Sequence, residues 1–226
     1  MYEGRWIFAF VILAIVIGGS ATHVEKIFGP VASAACSLIS TGISIITSGL
    51  LLFCLWFFRD PERKSPADPS MVSSPADGTV TVVDEVEEEQ FFKRRMKRVS
   101  IFLSVFDVHV NRTPIEGAVL FAEARGGLYL DARKPEASVL NESLFWAFGS
   151  KDRLEKAVGV KLITGAIARR IVPWAQLGER MERGERFAMI RFGSRTDLFL
   201  PLDAEVLVSV GEKVKGCETA IARMTA

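Results

Sequence analysis

From Ile27 to Phe58 this chain carries no Asp, Glu, Lys or Arg, and Trp6 to Val24 carries none either. Only Glu25 and Lys26 separate the two stretches. Crossing a bilayer takes roughly 20 apolar residues, and Ala32 to Phe58 meets that length. Trp6 to Ile17 is short for a full crossing, and Gly29-Pro30 breaks the chain before the second run. The pattern predicts a membrane-associated helical hairpin over residues 1–58, either spanning the bilayer or lodged in one leaflet. A signal peptide fits less well, because Arg5 stands beside Glu3 and a second, longer apolar run follows. Trp56, Phe57 and Phe58 form an aromatic belt, and Arg59, Arg63 and Lys64 follow it. Positive flanks favour the cytoplasmic side, and a hairpin returns both ends to that side.

Beyond Phe58 the chain is richly charged. Its 226 residues allow one domain of ordinary size after the apolar segment. The net charge of +1 gives no field that would draw nucleic acid. Three cysteines, Cys36, Cys54 and Cys217, with no CxxC spacing, exclude a disulfide framework and a cysteine-based zinc site. No metal is expected. The two histidines are His23 and His109, so a soluble-domain reaction that needs an imidazole has only His109.

Residues 59–70 read as a linker with Pro61, Pro66 and Pro69, and residues 71–226 as a mainly β (α+β) catalytic domain. Thr79–Val83, Val99–Leu103, Ile115–Tyr129, Leu162–Val172, Phe187–Phe192, Leu198–Pro201 and Ala204–Val210 have strand character. Lys151–Val158 reads as a short helix. Gly178-Glu179-Arg180-Met181-Glu182-Arg183-Gly184-Glu185 recurs thirty-three positions on as Gly211-Glu212-Lys213-Val214-Lys215-Gly216-Cys217-Glu218. Each copy is a turn leading into an alternating strand, as in the paired half-motifs of biotinyl/lipoyl-type barrel sandwiches. No hairpin-tip lysine for a prosthetic group accompanies it.

Gly193-Ser194 carries the chemical interest. A serine directly after glycine, in a strand-like run, lies close to its own upstream carbonyl, and glycine tolerates the backbone geometry an attack requires. A base must activate the hydroxyl. Attack transfers the acyl group from nitrogen to oxygen. Elimination from the ester leaves dehydroalanine, and hydrolysis turns that into a pyruvoyl group. His109 is the available imidazole. Asp77, in the turn signature Ser74-Pro75-Ala76-Asp77-Gly78, and Asp107, two residues before His109, are rival orienting carboxylates.

Five words occur in order: Phe57-Phe58-Arg59-Asp60-Pro61-Glu62-Arg63, Ser74-Pro75-Ala76-Asp77-Gly78, Asp107-Val108-His109-Val110-Asn111-Arg112, Gly165-Ala166-Ile167-Ala168-Arg169-Arg170-Ile171-Val172 and Arg191-Phe192-Gly193-Ser194-Arg195. From Phe57 to the C-terminus the chain resembles the small, archaeal-type phosphatidylserine decarboxylases. The resemblance implies a proenzyme that cuts itself between Gly193 and Ser194 into chains 1–193 and 194–226, which stay together as a heterodimer. It implies Asp77, His109 and Ser194 as the self-cleavage triad, and a covalent pyruvoyl cofactor derived from Ser194. It implies decarboxylation of phosphatidylserine to phosphatidylethanolamine with release of CO2, at the cell membrane. His109 becomes the candidate proton donor, and Arg112, Arg169, Arg170 and Arg195 the candidate headgroup cations. Phe192-Gly193-Ser194-Arg195 stands where larger members carry Leu-Gly-Ser-Thr, and Asn141-Glu142-Ser143 departs from their Asn-Glu-Arg. Two other classes would use the same residues differently. A membrane-anchored serine hydrolase would keep Ser194 intact, though no G-x-S-x-G elbow surrounds it. A non-enzymatic membrane adaptor would use the barrel sandwich alone.

Overall fold

The computed structural model describes residues 30–166, 170–190 and 194–225, with side chains from Ser37 onward. The apolar run Trp6–Ile17, and with it one arm of the expected hairpin, lies outside the described residues, as do Arg169 and Gly193. The chain divides into two compact units between Arg59 and Asp60.

In the first unit, α1 (Pro30–Phe57) starts at the expected breaker, where proline is tolerated because its missing N–H has no helical partner anyway. Its stretch Ser37–Phe57 is long and apolar enough to cross a membrane, with mean hydropathy 2.1.

The second unit is mainly β. Its strands are β1 (Met71–Ser73), β2 (Gly78–Glu88), β3 (Arg94–Leu103), β4 (Val110–Arg112), β5 (Gly117–Arg125), β6 (Ser143–Gly149) and β7 (Val158–Ile163). They continue with β8 (Ile171–Pro173), β9 (Arg180–Met181), β10 (Arg186–Ile190), β11 (Ser194–Leu200), β12 (Glu205–Val206), β13 (Lys213–Val214) and β14 (Ala220–Arg223). An eight-stranded sheet runs β13-β2-β3-β11-β7-β6-β5-β9, and three-stranded sheets run β4-β10-β8 and β1-β14-β12.

Alternation of side chains across the pleat divides the core. Leu198 and Leu200 of β11, Trp146 and Phe148 of β6, and Val160 and Leu162 of β7 join the larger cluster. There the Phe187 ring of β10 meets Trp146 at 4.9 Å and Phe148 at 5.1 Å between centroids, so the β4-β10-β8 sheet packs on the large one. Met96, Phe145, Ala147 and Phe199 face the other way, into a smaller aromatic cluster. Strand β6 is therefore covered on both faces, which explains its unbroken apolar run from Leu144 to Phe148. The outer ends of β2 and β3 are instead a ladder of opposite charges, with Asp84 opposite Arg98 and Glu85 opposite Lys97.

The 33-residue echo marks a matched substructure. Gly178 and Gly211 have φ of +83° and +93°, and Gly184 and Cys217 have +86° and +70°. The Gly178 N–H donates to the Val119 carbonyl, and the Gly211 N–H to that of Val80, both at 2.8 Å. The carboxylates of Glu179 and Glu212 accept from the N–H groups of Gln176 and Ser209 in the same way. The partner segments repeat too: Ser74-Pro75-Ala76-Asp77-Gly78 matches Thr113-Pro114-Ile115-Glu116-Gly117 at an offset of 39. The carbonyl of Ser74 accepts from Cys217 N–H, and that of Thr113 from Gly184 N–H. Asp77 and Glu116 thus hold equivalent places in two copies of one unit.

Gly78 illustrates how tightly these copies close. A Cβ there would stand 2.2 Å from the Phe102 carbonyl oxygen. Gly78→Ala should lower stability by about 3 kcal/mol, read as a fall in thermal midpoint. An unchanged midpoint would mean the turn relaxes freely.

Candidate active site

One end of the large sheet gathers the site. Arg125, Ser143, Ile163, Arg195, Phe102 and Thr79 lie in register across β5, β6, β7, β11, β3 and β2. Ser194 is the first residue of β11 and stands opposite Leu103, the last of β3. Asp77 immediately precedes β2, whose Thr79 pairs with the neighbouring Phe102. Asp77 and Ser194 therefore leave the sheet at the same end, on either side of β3.

His109 arrives from the facing sheet. It precedes β4, and its carbonyl accepts from the N–H of Ile190, the last residue of β10. The chain then needs only residues 191–193 to reach Ser194. Further along, the Thr196 hydroxyl donates to Asn111 Oδ1 at 3.1 Å, joining β11 to β4 directly. Thr196 lies two residues after Ser194 and Asn111 two after His109, so each pair shares a strand face. The Asp77 turn closes the third side, since the Pro75 carbonyl accepts from Arg112 N–H at 2.9 Å.

Ser194 is fully buried, and its Oγ has no hydrogen-bond partner among the described residues, a condition shared with Ser73 Oγ and Trp146 Nε1. Burying an unsatisfied hydroxyl costs about 1–3 kcal/mol, and such groups recur where a protein keeps an atom for reaction. His109 is also buried, and its Nδ1 lies 2.9 Å from the Asp107 carbonyl. A carbonyl only accepts, so Nδ1 carries the proton in the neutral ring and Nε2 carries the lone pair.

The two rival carboxylates have different surroundings. Asp107 Oδ2 accepts from the N–H and hydroxyl of Ser104, at 2.8 and 2.7 Å, which closes a tight turn and aims the Asp107 carbonyl at His109. Asp77 Oδ1 accepts from Gly216 N–H at 2.7 Å, and its Oδ2 from Arg63 Nη2 at 2.8 Å.

The candidate arginines are not alike. Arg112 is buried, donating to the carboxylate of Asp60 and the carbonyls of Pro61 and Gly184. Arg195 is buried on the opposite face of β11 from Ser194, with Asp197 holding its guanidinium at 2.6 and 3.2 Å and Ser100 at 2.8 Å. Arg170 is exposed, next to Ile171, whose partner in register is Ile190. Asp197→Ala should cost about 3–5 kcal/mol by leaving Arg195 buried and unpaired, visible as a lowered denaturation midpoint. Cys217 is buried, and burial pushes its thiol up, which leaves it unreactive as a nucleophile.

Comparison with known proteins decides the family. The family model described as phosphatidylserine decarboxylase matches residues 50–222. A phosphatidylserine decarboxylase proenzyme of Symbiobacterium thermophilum is 46% identical over 182 residues, covering 80% of this chain and 84% of that protein. The proenzyme of Pelobacter propionicus is 44% identical over 193 residues, covering 84% of each. This chain belongs to the phosphatidylserine decarboxylase family. It is by family an enzyme, a decarboxylase. The match takes in all five words from which the resemblance was read, and it begins within α1. What the words did not bring out is the environment of this decarboxylase-family site. Arg63, Gly216, Asn111 and Thr196 carried no individual signal. The second copy of the Ser-Pro-x-Asp-Gly turn, at Thr113 to Gly117, was legible as a repeat and would have marked Asp77 as one of two equivalent positions.

Proposed function

We propose that this protein cleaves its own Gly193-Ser194 bond and then, as a two-chain enzyme, decarboxylates phosphatidylserine to phosphatidylethanolamine with release of CO2. The observation that carries this reading is the buried Ser194 hydroxyl at the head of β11, without a hydrogen-bond partner among the described residues, where the elements bearing Asp77 and His109 converge.

His109 Nε2 takes the Ser194 Oγ proton as the oxygen attacks the Gly193 carbonyl, and the Gly193–N bond breaks to leave an ester and a free amine. Removal of the Ser194 α-proton then expels the Gly193 carboxylate and leaves dehydroalanine. Water replaces its nitrogen, which departs as ammonia, so residue 194 ends as a pyruvoyl group. Asp77 stabilises by its charge the imidazolium that develops, while the Asp107 carbonyl takes the place at Nδ1–H that a carboxylate holds in a serine-protease triad. The site fits this group: a buried serine oxygen with no hydrogen-bond partner among the described residues, and a buried imidazole whose Nδ1 faces a carbonyl. A pyruvoyl carbonyl supplies an electron sink for the electrons released with CO2. His109 Nε2 delivers a proton to the substrate α-carbon, and burial of the surrounding strand ends excludes water from that carbon. For the headgroup phosphate we assign exposed Arg170, with Arg169 beside it in sequence, ahead of Arg112 and Arg195, which Asp60 and Asp197 already engage.

The segment Ser37–Phe57 supports a membrane location, since a two-chain lipid leaves a bilayer reluctantly, and the cationic flank at Arg59 supports a cytoplasmic catalytic unit. The matched turns at Gly178 and Gly211, with their partners at Val119 and Val80, support a barrel-sandwich architecture. The fold also supports a permanent heterodimer. The small chain would supply β11, which lies between β3 and β7 in the large sheet, together with β12, β13 and β14. Both chains should therefore co-elute under native conditions and part only in denaturant; separation by salt alone would contradict this.

The test is reductive trapping. Protein incubated with phosphatidylserine vesicles and a mild hydride donor should gain a lipid-amine adduct on the N-terminal residue of the 194–226 chain, and untreated samples should form phosphatidylethanolamine. Product formation with no adduct at residue 194 would reject the pyruvoyl route.

A further inference from the structure

The word Phe57–Arg63 supplied a cationic flank to the apolar run, and the structure gives its Asp60 and Arg63 a second role. Two of its residues reach the two sides of the cleavage site. Asp60 pairs with Arg112 at 2.6 Å and with Arg186 at 2.7 Å. Those arginines face each other in register on β4, which His109 immediately precedes, and β10, which precedes the segment leading to Ser194. Three residues on, Arg63 pairs with Asp77 at 2.8 Å. Residues 60–63 thus form a strap between the His109 strand and the Asp77 turn.

The repeated substructure isolates the effect of the strap. Glu116 occupies the place of Asp77 in the second copy, and no strap covers it. Its side chain is 61% exposed and pairs with Arg180, which is 81% exposed. Asp77 is 14% exposed and Arg63 8%. Both acids thus pair with a guanidinium at 2.8 Å, but only the Asp77–Arg63 pair is buried. A second fixed donor, Gly216 N–H, takes the other Asp77 oxygen, so the carboxylate has one orientation. Arg63 is itself tied at the far side by Glu218 at 3.7 Å.

We propose that Arg63 is the positioning residue for Asp77 in self-cleavage: together with Gly216 N–H it fixes the carboxylate in one orientation. The proposal rests on the reading of Asp77 and Ser194 given above. In this role Arg63 acts through Asp77.

The experiment follows the rate of self-cleavage of the full-length chain by intact mass, with thermal melting in parallel. Arg63→Met should slow cleavage by roughly tenfold to a hundredfold, the scale of a small misplacement of a catalytic group. Arg63→Lys should fall between Arg63→Met and the parent. Guanidinium ion below denaturing concentration should speed Arg63→Met, and sodium chloride at equal ionic strength should not. The double variant Arg63→Met/Asp77→Asn should cleave no more slowly than Asp77→Asn alone. Cleavage of Arg63→Met at the parent rate overturns the proposal, as does a double variant slowed by the full product of the two single effects. If Arg63→Met does not fold, Arg63→Lys decides: slower cleavage at an unchanged melting midpoint supports the role, and the parent rate overturns it. Asp77→Asn cleaving at the parent rate would remove the reading of Asp77 and this inference together.

Discussion

Ser194→Ala should yield a single chain of full length with no measurable decarboxylase activity. The loss should be on the order of 10⁶ in rate, the scale seen when a covalent catalytic group is removed, because no other group in the site can generate an electrophile. The fold should survive intact. Ser194 Oγ is buried without a partner among the described residues, so removing it should leave stability unchanged or raise it by about 1 kcal/mol. Activity and stability are thus expected to move in opposite directions, which separates loss of chemistry from loss of structure. Intact mass and a thermal melt on the same sample read both. A cleaved Ser194→Ala chain would place the cut elsewhere.

His109→Ala should also accumulate uncleaved chain, with cleavage slowed about 10⁴-fold or more, the scale reached when a triad loses its working tautomer. His109 is the imidazole that the facing sheet brings toward Ser194, and its Nδ1–H is committed to the Asp107 carbonyl. That commitment makes Asp107 and Asp77 separable. The Asp107 side chain closes a turn on Ser104, whereas its contact to His109 is through the backbone. Asp107→Asn should therefore cleave at close to the parent rate, and Asp77→Asn should not. If Asp107→Asn alone blocks cleavage, the orienting carboxylate is Asp107.

Much of this was readable in the chain because it depends on local chemistry. The breaker at Pro30 and the uncharged run predicted α1, and β-branched Thr79–Val83 predicted the start of β2. The stretch Lys151–Val158, expected to be helical, holds a 3-10 helix over Lys151–Lys156. Strand β6 was not legible, because Leu144 to Phe148 faces a core on each side and shows no period of two. The charged halves of β2 and β3 were hidden for the opposite reason: their pairing is between strands, and neither strand alone shows it. Leu162–Val172 reads as one strand but divides into β7 and β8, which lie in different sheets. At the site, the reactive words were visible one by one. Their meeting was not, since it depends on register across β2, β3 and β11 and on a side-chain contact between Asn111 and Thr196, which are far apart in sequence.

The central claim is that residue 194 of the working enzyme is no longer serine. Intact-mass measurement of the purified, denatured protein addresses it directly. The account predicts two species, one ending at Gly193 and one beginning at residue 194, the latter lighter by one ammonia than Ser194–Ala226 and reactive with a carbonyl reagent. A single full-length chain with full decarboxylase activity, or a small chain that begins with an unmodified serine, would contradict it.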